Sequence, residues 1–312
     1  MDEQMTQPNF IAGVPLVLGG NVFGWTAKGD EGLAVLDAFY EAGGRMIDTA
    51  DAYSAWIPGH KGGESEAFIG QWIQSRGVRS DMKIHTKTGM LGGKELYEPE
   101  RVLTSLDASL ERLRTDYVDL FYAHRDFDDL PVDEIVSAFD GAAKSGKVRA
   151  LGASNFNADR LTAALKVAKS NGAMPFSALQ NQYNLVVRSE YGPELQELCI
   201  THGIAMLPFF GLAAGYLTGK YRTEEDYAKS SRGGRVKGLA AEHGPQVIAV
   251  MDEIAAETGA TLSAIALAWL LRQPGIGAPI ASARNASQLA TLLEFTKLNL
   301  SDNQMERLTN AA

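Results

Sequence analysis

The feature that most constrains this chain is an eightfold alternation. The β-type runs are VPLVLGG (14–20), RMIDT (45–49), KIHTK (83–87), VDLFYAH (118–124), VRALGAS (148–154), SALQNQ (177–182), IAMLPF (204–209) and IGAPIAS (276–282). Between them apolar residues return at helical spacing, as in Val102, Leu103, Leu106, Leu110, Leu113 or Ile135, Val136, Phe139, Ala142, Ala143, each set an apolar stripe along one helix. Pro131 in the first turn and Gly146 just past the end punctuate the helix expected over 131–144. Strands joined by crossover helices pair in parallel, and eight of them fit a closed (β/α)8 TIM barrel, an α/β fold, better than an open sheet. The competing architecture, a doubly wound sheet, would carry a Gly-x-Gly-x-x-Gly turn after an early strand, and the chain has none. The 312 residues are expected to form a single barrel domain over 1–312. The segment before Gly13 is expected to make a small hairpin over the barrel bottom. The stretch from Pro208 to about His243, rich in Gly, Lys and Arg, is expected to be a long functional loop after the seventh strand.

The net charge of −9 argues against nucleic acid or an anionic membrane as the partner. Cys199 is the only cysteine, so neither a disulfide framework nor a cysteine metal site is available. It follows Leu195 by four residues in a helical pattern, and core packing is its expected role. The N-terminal MDEQMTQPNF lacks the apolar core of a signal peptide, and the longest apolar run, Leu262 to Leu271, is far short of a membrane span. A soluble cytoplasmic protein acting on a small molecule is the expectation.

A barrel's chemistry sits at the C-terminal ends of its strands. Asp48 ends the second run, Lys87 the third and His124 the fourth, while Tyr53 follows Asp48 on the connecting loop. Each alone has an ordinary explanation: a cap, a surface lysine, a rim histidine, a loop aromatic. Together they make an acid/base centre built on a phenol. A tyrosine titrates near pH 10, too high for easy proton exchange at neutral pH, and a nearby ammonium lowers that value. Lys87 is placed to do this, Asp48 to hold Lys87, and His124 to hydrogen-bond a substrate oxygen. The set suits protonation of a carbonyl oxygen. His85, two residues before Lys87, points to the same side of its strand. With His124 and Asp48 it offers a metal-hydrolase alternative, but the His-x-His pair of such sites is missing and no metal is expected.

These residues resemble the aldo-keto reductase superfamily, whose Asp, Tyr, Lys and His follow this order at similar spacings. The resemblance runs from about Val14 to Leu298. It is carried by IDTADAYS, HTKTG, YAHR, LGASNF (151–156), LQNQYN (179–184), GLAAGYLTGKY (211–221) and APIASARNASQL (278–289). It implies reduction of aldehydes or ketones by hydride transfer from a nicotinamide cofactor held without a Rossmann fold, Tyr53 giving the proton. It further implies that Ser154, Asn155 and Gln180 hold the carboxamide and that Phe209 stacks on the ring. Gly211, Leu212, Gly215 and Lys220 would meet the pyrophosphate, with Gly20 and Asn21 nearby, and Arg232 or Arg235 would close over the cofactor. Ser282, Arg284 and Gln288 would flank the adenosine ribose, favouring NADP(H) over NAD(H), because a guanidinium grips the extra phosphate. Trp25, Trp56, Phe127 and Phe156 fall on rim loops and are expected to line an apolar substrate cleft.

The chain departs from the family pattern at FFG (209–211), at HRDF (124–127) and at Thr291 and Leu292 near the expected adenine site. It also resembles the potassium-channel β subunits. A cofactor-binding regulatory subunit with slow turnover is therefore a rival to the enzyme.

Overall fold

The computed structural model describes residues 8–229 and 233–312. Among the described residues there are eight strands: β1 (Val17–Gly19), β2 (Met46–Asp48), β3 (Lys83–Thr88), β4 (Leu120–Ala123), β5 (Leu151–Ser154), β6 (Phe176–Gln180), β7 (Ala205–Met206) and β8 (Ile280–Ala281). The helices after the first six are α1 (Gly29–Glu41), α2 (Glu64–Arg76), α3 (Pro99–Leu113), α4 (Val132–Lys144), α5 (Ala158–Asn171) and α6 (Pro193–His202). After β7 come α7 (Glu224–Ala228), α8 (Gly233–Ala240), α9 (Gly244–Thr258) and α10 (Leu262–Leu271); α11 (Ala286–Leu293) and α12 (Asp302–Asn310) follow β8.

The strands are almost wholly buried because helices cover the sheet outside and side chains fill it inside, which is why they read as apolar runs. All neighbours pair in parallel, in the order β7-β6-β5-β4-β3-β2-β1-β8. The sheet curls until its ends meet: Met206 N–H donates to Gly275 O at 2.9 Å, Gly277 N–H to Met206 O at 2.8 Å and Ile280 N–H to Pro208 O at 2.9 Å. The architecture is a (β/α)8 barrel, and the doubly wound alternative falls on this strand order.

Two apolar cores result. The larger lies between strands and helices, and Cys199 is buried there. The smaller fills the barrel with Val17, Met46, Leu120, Tyr122, Leu207, Ile280 and, from below, Phe10. A Cβ on Gly152 would stand 2.4 Å from the Tyr122 ring, so a glycine on β5 makes room for that phenol. The hairpin expected before Gly13 falls partly on residues 1–7, outside the described residues. Over 8–13 the chain turns, Ile11 N–H bonding Pro8 O at 2.9 Å, and only Gly13 bridges antiparallel to Gly44. Its Phe10 plugs the barrel and is held by its carbonyl, 2.9 Å from His85 Nε2.

The stretch after β7 is more helical than the long loop expected. It contains a 3-10 segment (Ala213–Thr218) and then α7 and α8. A capping box between Thr223 and Asp226 starts α7, and Arg222 fastens the stretch to α9 through a two-pronged pair with Asp252 at 2.6 and 2.8 Å. Among the described residues no single helix is long and apolar enough to cross a membrane.

Candidate active site

Strand register builds the centre. Asp48 lies beside His85, and Lys87 beside Tyr122 one step higher. Past β2 the chain still follows β3, Thr49 N–H bonding His85 O at 2.8 Å and Asp51 N–H bonding Lys87 O at 3.1 Å. A turn then brings Tyr53 back over the strand ends, its N–H on Ala50 O at 3.2 Å. Lys87 Nζ, fully buried, donates to Asp48 Oδ2 at 2.7 Å, Thr49 O at 2.8 Å and Tyr53 Oη at 2.9 Å. The Tyr53 hydroxyl donates to the same Asp48 oxygen at 3.0 Å. All three ammonium protons are thus used, and Lys87 has no freedom to reach water. The other Asp48 oxygen accepts from Gln180 Nε2 at 2.9 Å. The His124 ring stands 6.0 Å from the Tyr53 ring, centre to centre, at a steep angle. The tetrad named from sequence therefore meets at one place.

The electrostatics differ from the sequence expectation. Burial and the Asp48 carboxylate push Tyr53 well above the usual phenol range, where Lys87 was expected to lower it. The physical reason is geometric: the carboxylate accepts the phenol's own proton, while Lys87's charge is largely answered by Asp48. Burial lowers Lys87, opposed by Asp48. Burial and then the Lys87 ammonium hold His124 well below the ordinary imidazole range, so its ring is neutral. Nδ1 of His124 is buried and has no hydrogen-bond partner among the described residues.

Sequence reading missed a polar layer behind β3. Thr86 and Thr88 flank Lys87 and, by strand alternation, face the helices. Thr86 Oγ1 donates to Glu66 Oε1 at 2.5 Å, Arg112 Nε to Glu66 Oε2 at 2.7 Å, and Thr88 Oγ1 to Asp51 Oδ2 at 2.6 Å. The signal was the placing of Thr86 and Thr88 on either side of Lys87 in HTKTG, overshadowed by Lys87 itself.

The groups expected at the cofactor also gather at the strand ends. Asn155 Nδ2 donates to Ser154 Oγ at 3.1 Å and to His124 O at 3.0 Å, and Ser154 Oγ to Gln180 O at 2.8 Å. This amide-rich corner has the donors and acceptors a carboxamide needs. Phe209 is half-buried, its ring 5.2 Å from that of Phe210. Ala213, Ala214 and Gly215 take left-handed φ values of 47°, 55° and 97°, and a Cβ on Gly215 would lie 3.1 Å from Lys220 Nζ. A cradle of small residues beside an ammonium fits a pyrophosphate. Gly20 is buried against Asp48 O, with no room for a Cβ. Ser282 Oγ donates to Asn21 Oδ1 at 2.6 Å, and Gln288 Oε1 accepts the Arg284 N–H at 3.0 Å. Gly211 and Leu212 pack beside α10 and the 3-10 segment. Arg232 lies outside the described residues, and so does the side chain of Arg235, a residue of α8.

Of the four aromatics, Trp25 and Trp56 stand together over Tyr53: the Trp25–Trp56 and Tyr53–Trp56 ring centres are 6.1 Å apart. Phe127 packs on Tyr97 at 5.3 Å. Phe156 is 1% exposed and packs on Phe176 at 5.8 Å. It lines a cavity of about 630 Å³ that opens among Asp126, Asn155, Asn181, Glu190 and Pro193, away from the tetrad. His85, His124 and Asp48 do not converge as ligands, and among the described residues no three His, Cys, Asp or Glu form a metal-binding group.

A closed parallel barrel with a buried Asp–Lys pair beneath a half-buried tyrosine at its C-terminal mouth defines an oxidoreductase of carbonyl and alcohol groups. The aldo/keto reductase family profile matches residues 15–312, and the chain belongs to that family. It is 30% identical to norsolorinic acid reductase B of Aspergillus parasiticus over 95% of this chain and 80% of that protein. It is 31% identical to aryl-alcohol dehydrogenase [NADP(+)] of Phanerodontia chrysosporium over 88% of this chain and 74% of that protein.

Proposed function

We propose that this protein reduces an aldehyde or ketone to an alcohol with NADPH, Tyr53 delivering the proton to the carbonyl oxygen. The observation that carries the reading is the triangle of Lys87 Nζ, Asp48 Oδ2 and Tyr53 Oη, with edges of 2.7, 2.9 and 3.0 Å, in which the ion pair is buried and the phenol half-buried. Burial and Asp48 keep Tyr53 a neutral phenol, the form a proton donor needs. Once the proton leaves, the phenolate oxygen is already 2.9 Å from an ammonium, so the new charge is met without rearrangement. His124, neutral, orients the carbonyl by hydrogen bonding and does not compete as an acid.

The bound nicotinamide supplies the hydride. Ser154, Asn155 and Gln180 would hold its carboxamide beside Phe209, and the Ala213–Gly215 cradle with Lys220 its pyrophosphate. Ser282 and Arg284 would hold the phosphate that distinguishes NADPH, in keeping with a relative named for NADP(+). Trp25 and Trp56 would wall the mouth, in keeping with that relative's aryl-alcohol substrate. The test is Tyr53→Phe. It should abolish carbonyl reduction while leaving NADPH binding, read by quenching of tryptophan fluorescence, nearly intact. Full turnover by the variant would overturn the reading.

A further inference from the structure

Asp51 shares the Tyr53 loop yet points away from the substrate mouth. The residue is 5% exposed, in the closed space behind β3. Oδ2 accepts from Thr88 Oγ1 at 2.6 Å and the Ala52 N–H also favours the carboxylate, but among the described residues Oδ1 has no well-formed hydrogen bond. The charged and titratable groups around it are Glu66 from α2, Arg112 from α3, Lys87 from β3 and Tyr97 from the turn before α3. Arg112 is already committed to Glu66, 2.6 Å away, and acts on Asp51 only at longer range, so among the described residues no cation makes an ion pair with Asp51. An unpaired carboxylate with an orphan oxygen is expensive in such a place, and the same group bearing a proton is not.

Resting on the assignment of Tyr53 as proton donor, we propose that Asp51 is a positioning residue for Tyr53 that works as the neutral acid. With a proton on Asp51, the compartment behind β3 holds the loop; once the proton is lost, the carboxylate favours water and the loop loosens. Two links tie this to the centre. The Asp51 N–H is bonded to Lys87 O, and Tyr53 stands two residues further on, its N–H bonded to Ala50 O. Burial raises the Asp51 carboxyl to about 7, opposed first by the Thr88 hydrogen bond, so the change falls at neutral pH. Linkage fixes the sign: a carboxyl whose folded value exceeds its unfolded one favours the closed loop at low pH and ceases to do so as pH rises through that value.

The experiment follows kcat/KM for an aryl aldehyde with NADPH from about pH 6 to about pH 9, where a single ionisation gives at most about a tenfold fall per pH unit. Wild type should decline above neutrality, and Asp51→Asn, which keeps the shape without the charge, should lose that decline. Thr88→Val, which removes the bond favouring the charged form, should move the decline to higher pH. Amide hydrogen exchange over residues 49–57 of the cofactor-free protein, corrected for intrinsic rates, gives a second readout. Protection should drop between about pH 6 and about pH 8 in wild type and hold in Asp51→Asn.

A profile without the decline, or one that Asp51→Asn leaves unchanged, would overturn the proposal. So would a decline shifted to lower pH in that variant, since it would belong to Lys87. If Asp51→Asn fails to fold, Thr88→Val decides by whether the decline moves. If no carbonyl is reduced at all, the functional reading fails, and the exchange measurement alone still tests the hold of Asp51 on the loop.

Discussion

Gln180 Nε2 donates to Asp48 Oδ1 at 2.9 Å, joining the end of β6 to the end of β2 across the mouth of the barrel. The other Asp48 oxygen serves Lys87 and Tyr53, so Gln180 supplies the donor for the oxygen they leave open. Asp48 is 1% exposed, and water cannot replace that donor. Gln180→Met keeps the length and removes the amide. The cofactor-free variant should lose about 1–3 kcal/mol in urea unfolding, the cost of an unsatisfied buried acceptor. The rate of carbonyl reduction should fall with it, as Asp48 turns toward another donor. Unchanged stability would mean that Asp48 has found one. The Tyr122 hydroxyl, buried beside Asp48 and Gln180, is the candidate.

Arg112 and Glu66 make a different kind of link. Glu66 is fully buried, and its charge is met by the Arg112 guanidinium at 2.6–2.7 Å and by Thr86. Arg112→Met leaves that charge unpaired behind the catalytic strand and should cost about 3–5 kcal/mol in urea unfolding near neutral pH. Glu66→Gln should cost less, because its amide oxygen still accepts from Arg112 and no charge is stranded. Equal losses in the two variants would refute the charge argument.

Much of this was readable in the sequence, for identifiable reasons. Strands buried on both faces are apolar runs, and Asp48, Lys87 and His124 stood out as the polar residues ending them. The Gln180–Asp48 bond was not readable, since it spans 132 residues and depends on barrel closure. The helical character of the stretch after β7 was signalled by Thr223 and Asp226 three residues apart, a cap outweighed by the glycines around it. The depth of Phe156 was not readable from its loop position: Asn155 takes φ 60° just before it, and the ring packs against Phe176 beneath the cavity it lines. The direction of the Tyr53 shift depended on whether Asp48 or Lys87 dominates at the phenol oxygen, a matter of contacts that spacing does not contain.

His85 should make the fold sensitive to acid. Burial holds its imidazole below the ordinary value, and its Nε2 serves the Phe10 carbonyl. The native protein thus keeps His85 neutral, while the unfolded chain takes up a proton below about pH 6.5. The stabilisation is whole above that pH and is lost as pH falls toward the folded value. His124 acts in the same sense and Asp51 in the opposite one, so the informative quantity is the difference between two curves. Urea unfolding of wild type and His85→Gln from about pH 7.5 to about pH 5 should show the variant losing less, the difference being at most about 2 kcal/mol at about 1.4 kcal/mol per pH unit below about pH 6.5. Parallel curves would show that His85 does not titrate on unfolding.

Arg284 provides the sharpest test of cofactor choice, because it has no structural duty to confuse the result. Its side chain is exposed, and among the described residues its guanidinium makes no hydrogen bond or ion pair; only its main-chain N–H is engaged, by Gln288. Arg284→Ala should therefore change urea stability by less than about 0.5 kcal/mol. A guanidinium that grips the ribose phosphate contributes a charge-assisted bond of about 1.5–3 kcal/mol, so NADPH affinity should fall by roughly tenfold to a hundredfold. NADH has no such phosphate and should bind the variant as it binds wild type. The loss for NADPH should also shrink at high salt, where the exposed pair is screened. Titration of both cofactors by tryptophan quenching reads all of this directly. Equal losses for NADPH and NADH, or none for either, would show that Arg284 does not read the phosphate.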